Sequence, residues 1–200
     1  YAPCVLLDPA LPAETLRQQL RLLGVGALVT RPGGAAAAIA AAEGIPVLDP
    51  GQGRLHPLGP AQRVVEEAGP EEVMTILLTS GTTGEAKSVP RSHTAFAADS
   101  AAMAALQPIG PGDACISPLP PHHALGLTQM FRYFQGGGLL ISLGRFRAEE
   151  FAPWTQVSPA ARAALSPTLA EHLARALEES PAAFHGWRPA FLRIGAGAPS

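Results

Sequence analysis

The chain of 200 residues predicts an α/β fold of layered, largely parallel sheets flanked by helices. Three observations carry that prediction. Short runs rich in Val, Ile and Leu alternate with longer stretches of helical periodicity. Pro, Ser and Gly mark where the helical stretches begin and stop. Hydrophobic residues make up 47% of the chain, enough for a sizeable core and too many for a disordered one.

Taken in order, Val5-Leu6-Leu7 reads as a strand. Pro12 to Leu23 reads as a helix, with Leu16, Leu20 and Leu23 on one face and Gly24 as its stop. Ala27 to Thr30 is strand-like, and Gly34 to Glu43 is an Ala-rich helix ended by Gly44. Ile45 to Leu48 reads as an edge or short strand, because Pro46 cannot donate to a ladder. Asp49 to Pro60 is rich in Gly and Pro and reads as a surface loop. Val73 to Leu78 is the best candidate for a buried strand, followed by a loop over 79–88. Ser92 to Leu106 reads as a helix with Ser92 as its N-cap. A strand over Ala114–Ser117, a helix over Ala124–Phe134 and a strand over Leu139–Ile141 follow. Helices over Ala148–Trp154 and Pro167–Leu177 precede a last strand over Phe191–Ile194. The βαβα alternation is what argues for a parallel sheet.

Composition excludes several functional classes. A net charge of −2 gives no general drive toward nucleic acid or an anionic membrane surface. No apolar run reaches the ~20 residues of a membrane span. Tyr1-Ala2-Pro3-Cys4 has neither the basic nor the apolar region of a signal peptide. Cys4 and Cys115 have no CxxC spacing and frame no disulfide scaffold, which is compatible with a cytoplasmic protein. The lack of an initiator Met, and a last strand close to Ser200, lead to the expectation of a partial domain over 1–200, cut at both ends.

Basic residues are lopsided: every one is Arg except Lys87. Lys87 closes the segment Thr79-Ser80-Gly81-Thr82-Thr83-Gly84-Glu85-Ala86-Lys87, which follows the buried-strand candidate. Glycines let backbone approach a bulky ligand. Hydroxyls and loop N–H groups donate to phosphate oxygens, and an ammonium adds a compact charge. Thr or Ser oxygens also suit the shell of Mg²⁺. These are the parts of a nucleotide-phosphate clamp, although Ser/Thr/Gly clusters also occur in ordinary turns. The P-loop pattern is not met, since Ala86 precedes the lysine and the two glycines are three apart.

The segment from Thr79 to Lys87 resembles the AMP-binding signature of the adenylate-forming enzymes, which include acyl-CoA synthetases, peptide-synthetase adenylation domains and luciferases. Val89-Pro90-Arg91-Ser92-His93 is similar to its usual continuation. Four further segments extend the resemblance over nearly the whole chain: Leu7 to Glu14, Pro118 to Leu127, Ala164 to Leu169, and Leu192 to Pro199. Ala86 stands where Pro is commoner, Ser88 where Gly is commoner, and Ala196 where Gly is usual.

The resemblance implies attack of a carboxylate on the α-phosphate of ATP, giving an acyl-adenylate and pyrophosphate. Transfer of the acyl group to CoA or a pantetheine thiol would follow. By the same resemblance, Thr79, Ser80, Gly81, Thr82, Thr83, Gly84 and Lys87 hold the β- and γ-phosphates. Lys87 and Thr83 are its catalytic candidates, with Thr82 or Thr83 placing Mg²⁺. His123 would line the acyl and thiol tunnel, and Gly195, Gly197, Ala198 and Pro199 would lie against acyl group and adenine. A small carboxylic or amino acid is the implied substrate, and a carrier-protein domain a possible partner. The family's adenine-stacking motif, ribose Asp, hinge and small C-terminal domain with its catalytic Lys have no counterpart in the 200 residues. The chain alone is therefore expected to be inactive or nearly so.

Other readings remain beside this one. A kinase or NTPase using the same loop needs an acidic Mg²⁺ ligand at a strand end, and Asp113 instead precedes its strand. A non-catalytic remnant of the ligase fold is the third. Adjacent His122 and His123 are poorly placed to share a metal ion. His93 reads as a packing residue, and His56, His172 and His185 as surface residues. Trp154 and Trp187 read as packing. Gly24-Val25-Gly26 is only part of a dinucleotide fingerprint, and Ser80 lacks the flanking glycines of a nucleophile elbow.

Overall fold

The structure, a computed structural model, describes residues 3–50, 68–79 and 87–195. The elements are β1 (Cys4–Val5), α1 (Ala13–Leu22), β2 (Leu28–Val29), α2 (Ala35–Ala42), β3 (Val47–Leu48) and β4 (Val73–Thr79). They continue with β5 (Lys87–Ser92), α3 (His93–Leu106), β6 (Ala114–Ser117), α4 (Ala124–Gly136) and β7 (Leu139–Ser142). The last are α5 (Ala148–Val157), β8 (Arg162–Leu165), α6 (Pro167–Glu179), a 3₁₀ turn over Pro181–Phe184, and β9 (Leu192–Ile194). The chain divides into two compact units, one of residues 1, 7–68 and 80–87, the other of residues 2–6, 69–79 and 88–200.

In the first unit, α1 and α2 pack through Leu16, Leu20 and Ile39. β2 and β3 pair in parallel, Leu28 opposite Val47. Gly24, at φ +58°, ends α1 as its sequence position predicts. Glu43 ties the helices together by accepting from Arg21 Nη2 at 2.9 Å and pairing with Arg17 Nε at 3.2 Å.

The second unit is built on two sheets. One has the order β1-β4-β5, with β1 and β4 parallel. The other has the order β7-β6-β8-β9, and every neighbouring pair in it is parallel. Strand alternation divides its side chains between two faces. Ile116, Ile141, Ala163 and Leu165 join Phe151 of α5 and Leu173 of α6 on one face. Trp187 closes that core, its ring edge-on to Phe151 at 5.6 Å and its Nε1 donating to Ala161 O at 3.0 Å. Cys115, Leu140 and Ala164 take the other face, with Tyr133 of α4. A separate cluster of Leu77, Phe96 and Leu127 joins β4, α3 and α4.

Three expectations change. The loop expected over 79–88 is strand at both ends, since Thr79 finishes β4 and Lys87-Ser88 begin β5. The run Lys-Ser-Val-Pro-Arg-Ser has no apolar alternation, and pairing with β4 makes it a strand. Pro90 fits because β5 lies at the edge of its sheet. β8 was not predicted, because Arg162-Ala163-Ala164-Leu165 carries no β-branched residue. Its place between β6 and β9 fixes it. The 3₁₀ turn over Pro181–Phe184 is also an addition, and it buries Phe184. Trp187 is buried as expected, whereas Trp154 stays 39% exposed.

Candidate functional site

In the four-stranded sheet all carboxyl ends point the same way. The chain steps from β6 outward to β7, then returns across β6 to β8 and on to β9. The direction of winding thus reverses between β6 and β8. In open α/β sheets such a switch point leaves a crevice beyond the strand ends, where ligands bind. The segments leaving this edge are Pro118–His123 after β6, Ser166 after β8 and Gly195 after β9.

Each segment is fixed locally. Ser117 is buried, and its Oγ accepts from Leu119 N at 3.4 Å. His123 N donates to Pro120 O at 3.1 Å, closing a turn that leaves His123 as the N-cap residue of α4. The imidazole is exposed and lies tilted at 4.5 Å on the ring of His122. Ser166 caps α6 by accepting from Leu169 N at 3.3 Å. Gly195 N donates to Leu165 O at 3.0 Å, which carries the β8–β9 ladder one residue past the strand.

Two glycines make these segments converge. A Cβ on Gly126 would sit 2.1 Å from Pro120 O, so the first turn of α4 lies directly on the backbone of the His123 turn. A Cβ on Gly195 would sit 2.6 Å from Leu125 Cδ2. The structure therefore brings Gly195 against the helix whose N-terminus His123 occupies. Leu125 and Gly126 were not singled out from the sequence as site residues. A glycine in the first turn of a helix was the available signal, since it costs helix stability unless a close approach needs it.

The other sequence-predicted residues divide into two groups. Lys87 belongs to the first unit, is exposed and opens β5 beside β4, whose last residue is Thr79. Ser80, Gly81, Thr82, Thr83 and Gly84 lie outside the described residues, as do Gly197, Ala198 and Pro199. Lys87 suits an anionic ligand such as the phosphates of ATP. Among the described residues no three His, Cys, Asp or Glu side chains gather as a metal site.

Beneath α4 lies a buried polar layer. Gln129 Oε1 accepts from Arg132 Nη1 and Arg193 Nη1, both at 3.4 Å, and Gln129 Nε2 reaches Cys115 Sγ at 3.5 Å. Burial lowers the pKa of both guanidiniums and raises that of the Cys115 thiol. Arg162 Nη2 is paired with Asp113 Oδ1 at 2.7 Å.

Comparison with known proteins joins these features. The profile of the family AMP-binding enzyme matches residues 2–200. Among curated proteins no match was found. Among solved structures, o-succinylbenzoate CoA synthetase (MenE) of Bacillus subtilis, in complex with its acyl-adenylate intermediate, superposes with a TM-score of 0.74 at 21% identity. That match covers 98% of this chain and 50% of that one. ATP-bound MatB of Rhodopseudomonas palustris superposes at 0.76 and 22% identity, covering 96% and 39%. A malonyl-CoA ligase complex with methylmalonyl-CoA and AMP superposes at 0.79 and 22% identity, covering 98% and 42%. The chain thus spans half or less of those proteins, and the likeness to them is one of fold. With a family profile matched from residue 2 to residue 200, the chain belongs to the AMP-binding enzymes.

Proposed function

We propose that the protein carrying this chain activates a carboxylic acid as its acyl-adenylate and passes the acyl group to a thiol. The observation that carries this reading is the family match over a chain whose single lysine closes a glycine- and hydroxyl-rich segment between two adjacent strands. A carboxylate oxygen attacks the α-phosphorus of ATP, the bond to the bridging oxygen breaks, and pyrophosphate leaves. Charge in such a transition state spreads over phosphate oxygens, so catalysis is largely positioning and electrostatic stabilisation. Lys87 is assigned the leaving pyrophosphate, with Thr79, Ser80, Gly81, Thr82, Thr83 and Gly84 donating around it. Thr83 is assigned to the Mg²⁺ that accompanies ATP. His123 and Gly195, with Gly197, Ala198 and Pro199, are assigned to the acyl end.

Two of the named neighbours are a CoA synthetase and a malonyl-CoA ligase, which favours CoA as the acceptor over a carrier-protein pantetheine. The reading places the protein in the cytoplasm, where ATP and CoA are available. Among the described residues no helix is long and apolar enough to cross a membrane.

The test is exchange of labelled pyrophosphate into ATP against a panel of carboxylic and amino acids. Acid-dependent exchange is expected, falling roughly 10- to 100-fold in Lys87→Ala, the loss of about 1.4–2.7 kcal/mol of charge-assisted bonding. ATP hydrolysis that ignores the added acid overturns the proposal in favour of a phosphohydrolase or kinase. The 200-residue chain by itself is expected to sustain little exchange, as it spans half or less of the ligases it superposes on.

A further inference from the structure

Arg193 is the middle residue of β9, and the sheet sets its direction. It lies opposite Ala164 of β8, which packs on the α4 face together with Cys115. Strand alternation therefore sends the Arg193 side chain to the α4 face. Its neighbours Leu192 and Ile194, opposite Ala163 and Leu165, point to the other face and are exposed. The small side chains of Cys115 and Ala164 leave room for a long one, and the guanidinium ends on Gln129 of α4.

Gln129 is 1% exposed, and both polar atoms of its side chain are engaged. Oε1 accepts from Arg193 Nη1 and Arg132 Nη1, and Nε2 donates to Cys115 Sγ. One amide thus joins β6, α4 and β9. The charge is answered from α3, where the Asp99 carboxylate acts on both guanidiniums against the effect of burial. Asp99 also pairs with Arg91 Nη2 at 3.6 Å and accepts from Thr128 Oγ1 at 3.4 Å. Buried polar contacts of this kind hold one geometry, because water cannot stand in for a lost partner.

Two residues beyond Arg193 stands Gly195, whose N–H donates to Leu165 O at 3.0 Å. We propose that Arg193 is a positioning residue for acyl binding: anchored on Gln129, it holds the end of β9 and so sets where the Gly195 segment meets the substrate acid. The inference rests on the ligase reading, which assigns Gly195 to the acyl end. Arg193 acts through the β9 backbone, its own guanidinium being taken up by Gln129.

The experiment is pyrophosphate exchange by the whole protein with Arg193→Met, Gln129→Met and the double variant, reading KM for the acid and KM for ATP separately. Arg193→Met keeps the fold, because Asp99 retains Arg91 and Arg132 as partners. It is expected to raise KM for the acid about 3- to 10-fold, the scale of one internal hydrogen bond, and to leave KM for ATP in place. A residue that served stability alone would lower the active fraction, and with it the maximal rate, while both KM values stayed put. Gln129→Met removes the same contact from the other partner, so the double variant is expected to be no worse than the poorer single one. Gln129→Glu, which keeps an acceptor for both guanidiniums, is expected to hold KM for the acid near that of the parent. Faster hydrogen exchange at the Gly195 amide is expected in Arg193→Met. A parent without acid-dependent exchange overturns the ligase reading and this assignment with it. A parent that exchanges, with KM for the acid unmoved in Arg193→Met or with losses that add in the double variant, overturns this assignment alone.

Discussion

Gly126 shows how much a single missing methyl group decides. Alanine there would drive its Cβ to 2.1 Å from Pro120 O, and backbone cannot yield as a flexible side chain does. Gly126→Ala is expected to destabilise the protein by about 1–3 kcal/mol or more, although alanine is the better helix former. Urea unfolding measures this, and an unchanged midpoint would contradict the contact. The two thiols provide a second residue-scale contrast. Cys4 is exposed, while Cys115 is buried and held in its protonated form by desolvation. A maleimide is expected to label native protein once, at Cys4, and a second time only after unfolding. The glycine and hydroxyl residues proposed as a nucleotide loop stand out in the sequence because that chemistry needs particular residue types in a fixed order. Arg132 does not, because nothing in Gln-Met-Phe-Arg-Tyr distinguishes a buried arginine from a surface one.

At the scale of elements, α1 was readable from its leucine spacing and glycine stop, α2 from its alanines and Gly44, and α3 from Ser92, which caps it as expected, whereas the cap that Ser166 provides to α6 came with the structure. The strand β8 was unreadable for the converse reason. Its alanines owe their strand conformation to β6 and β9 on either side, a non-local cause that no window of sequence contains. The contact between α1 and α2 carries a pH dependence. The hydrogen bond from Arg21 lowers the Glu43 pKa in the folded state, against an opposing push from burial, and the charges of Arg21 and Arg17 lower it further. A carboxyl so depressed stabilises the fold above its unfolded pKa and loses that contribution as pH falls through its folded value. Glu43→Gln is therefore expected to be less stable than the parent near neutrality, with the gap closing in the acid range. Denaturation midpoints at a series of pH values test this, and a gap that widened on acidification would contradict it.

For the whole molecule, the alternation of strand and helix was enough to give a parallel α/β architecture. The order β7-β6-β8-β9, and with it the position of the topological switch, came only with the structure. Ligand linkage offers a test at this scale that does not depend on turnover. A ligand bound to the native state alone raises stability in proportion to the logarithm of its concentration over Kd, about 2.7 kcal/mol at a hundredfold excess. ATP with Mg²⁺ is expected to raise the melting temperature, and Lys87→Ala to remove most of that rise. A melting temperature indifferent to ATP would favour a remnant that has kept the fold and lost the ligand.

The seat of Leu125 on Gly195 has one more consequence. Gly126 abuts the turn that carries His123, and its neighbour Leu125 presses on the tail of β9. The first turn of α4 is thus wedged from two sides, by the backbone of the His123 turn and by the tail of β9. Leu125→Ala removes one of the two wedges, and the amide resonance of Gly195 is expected to shift.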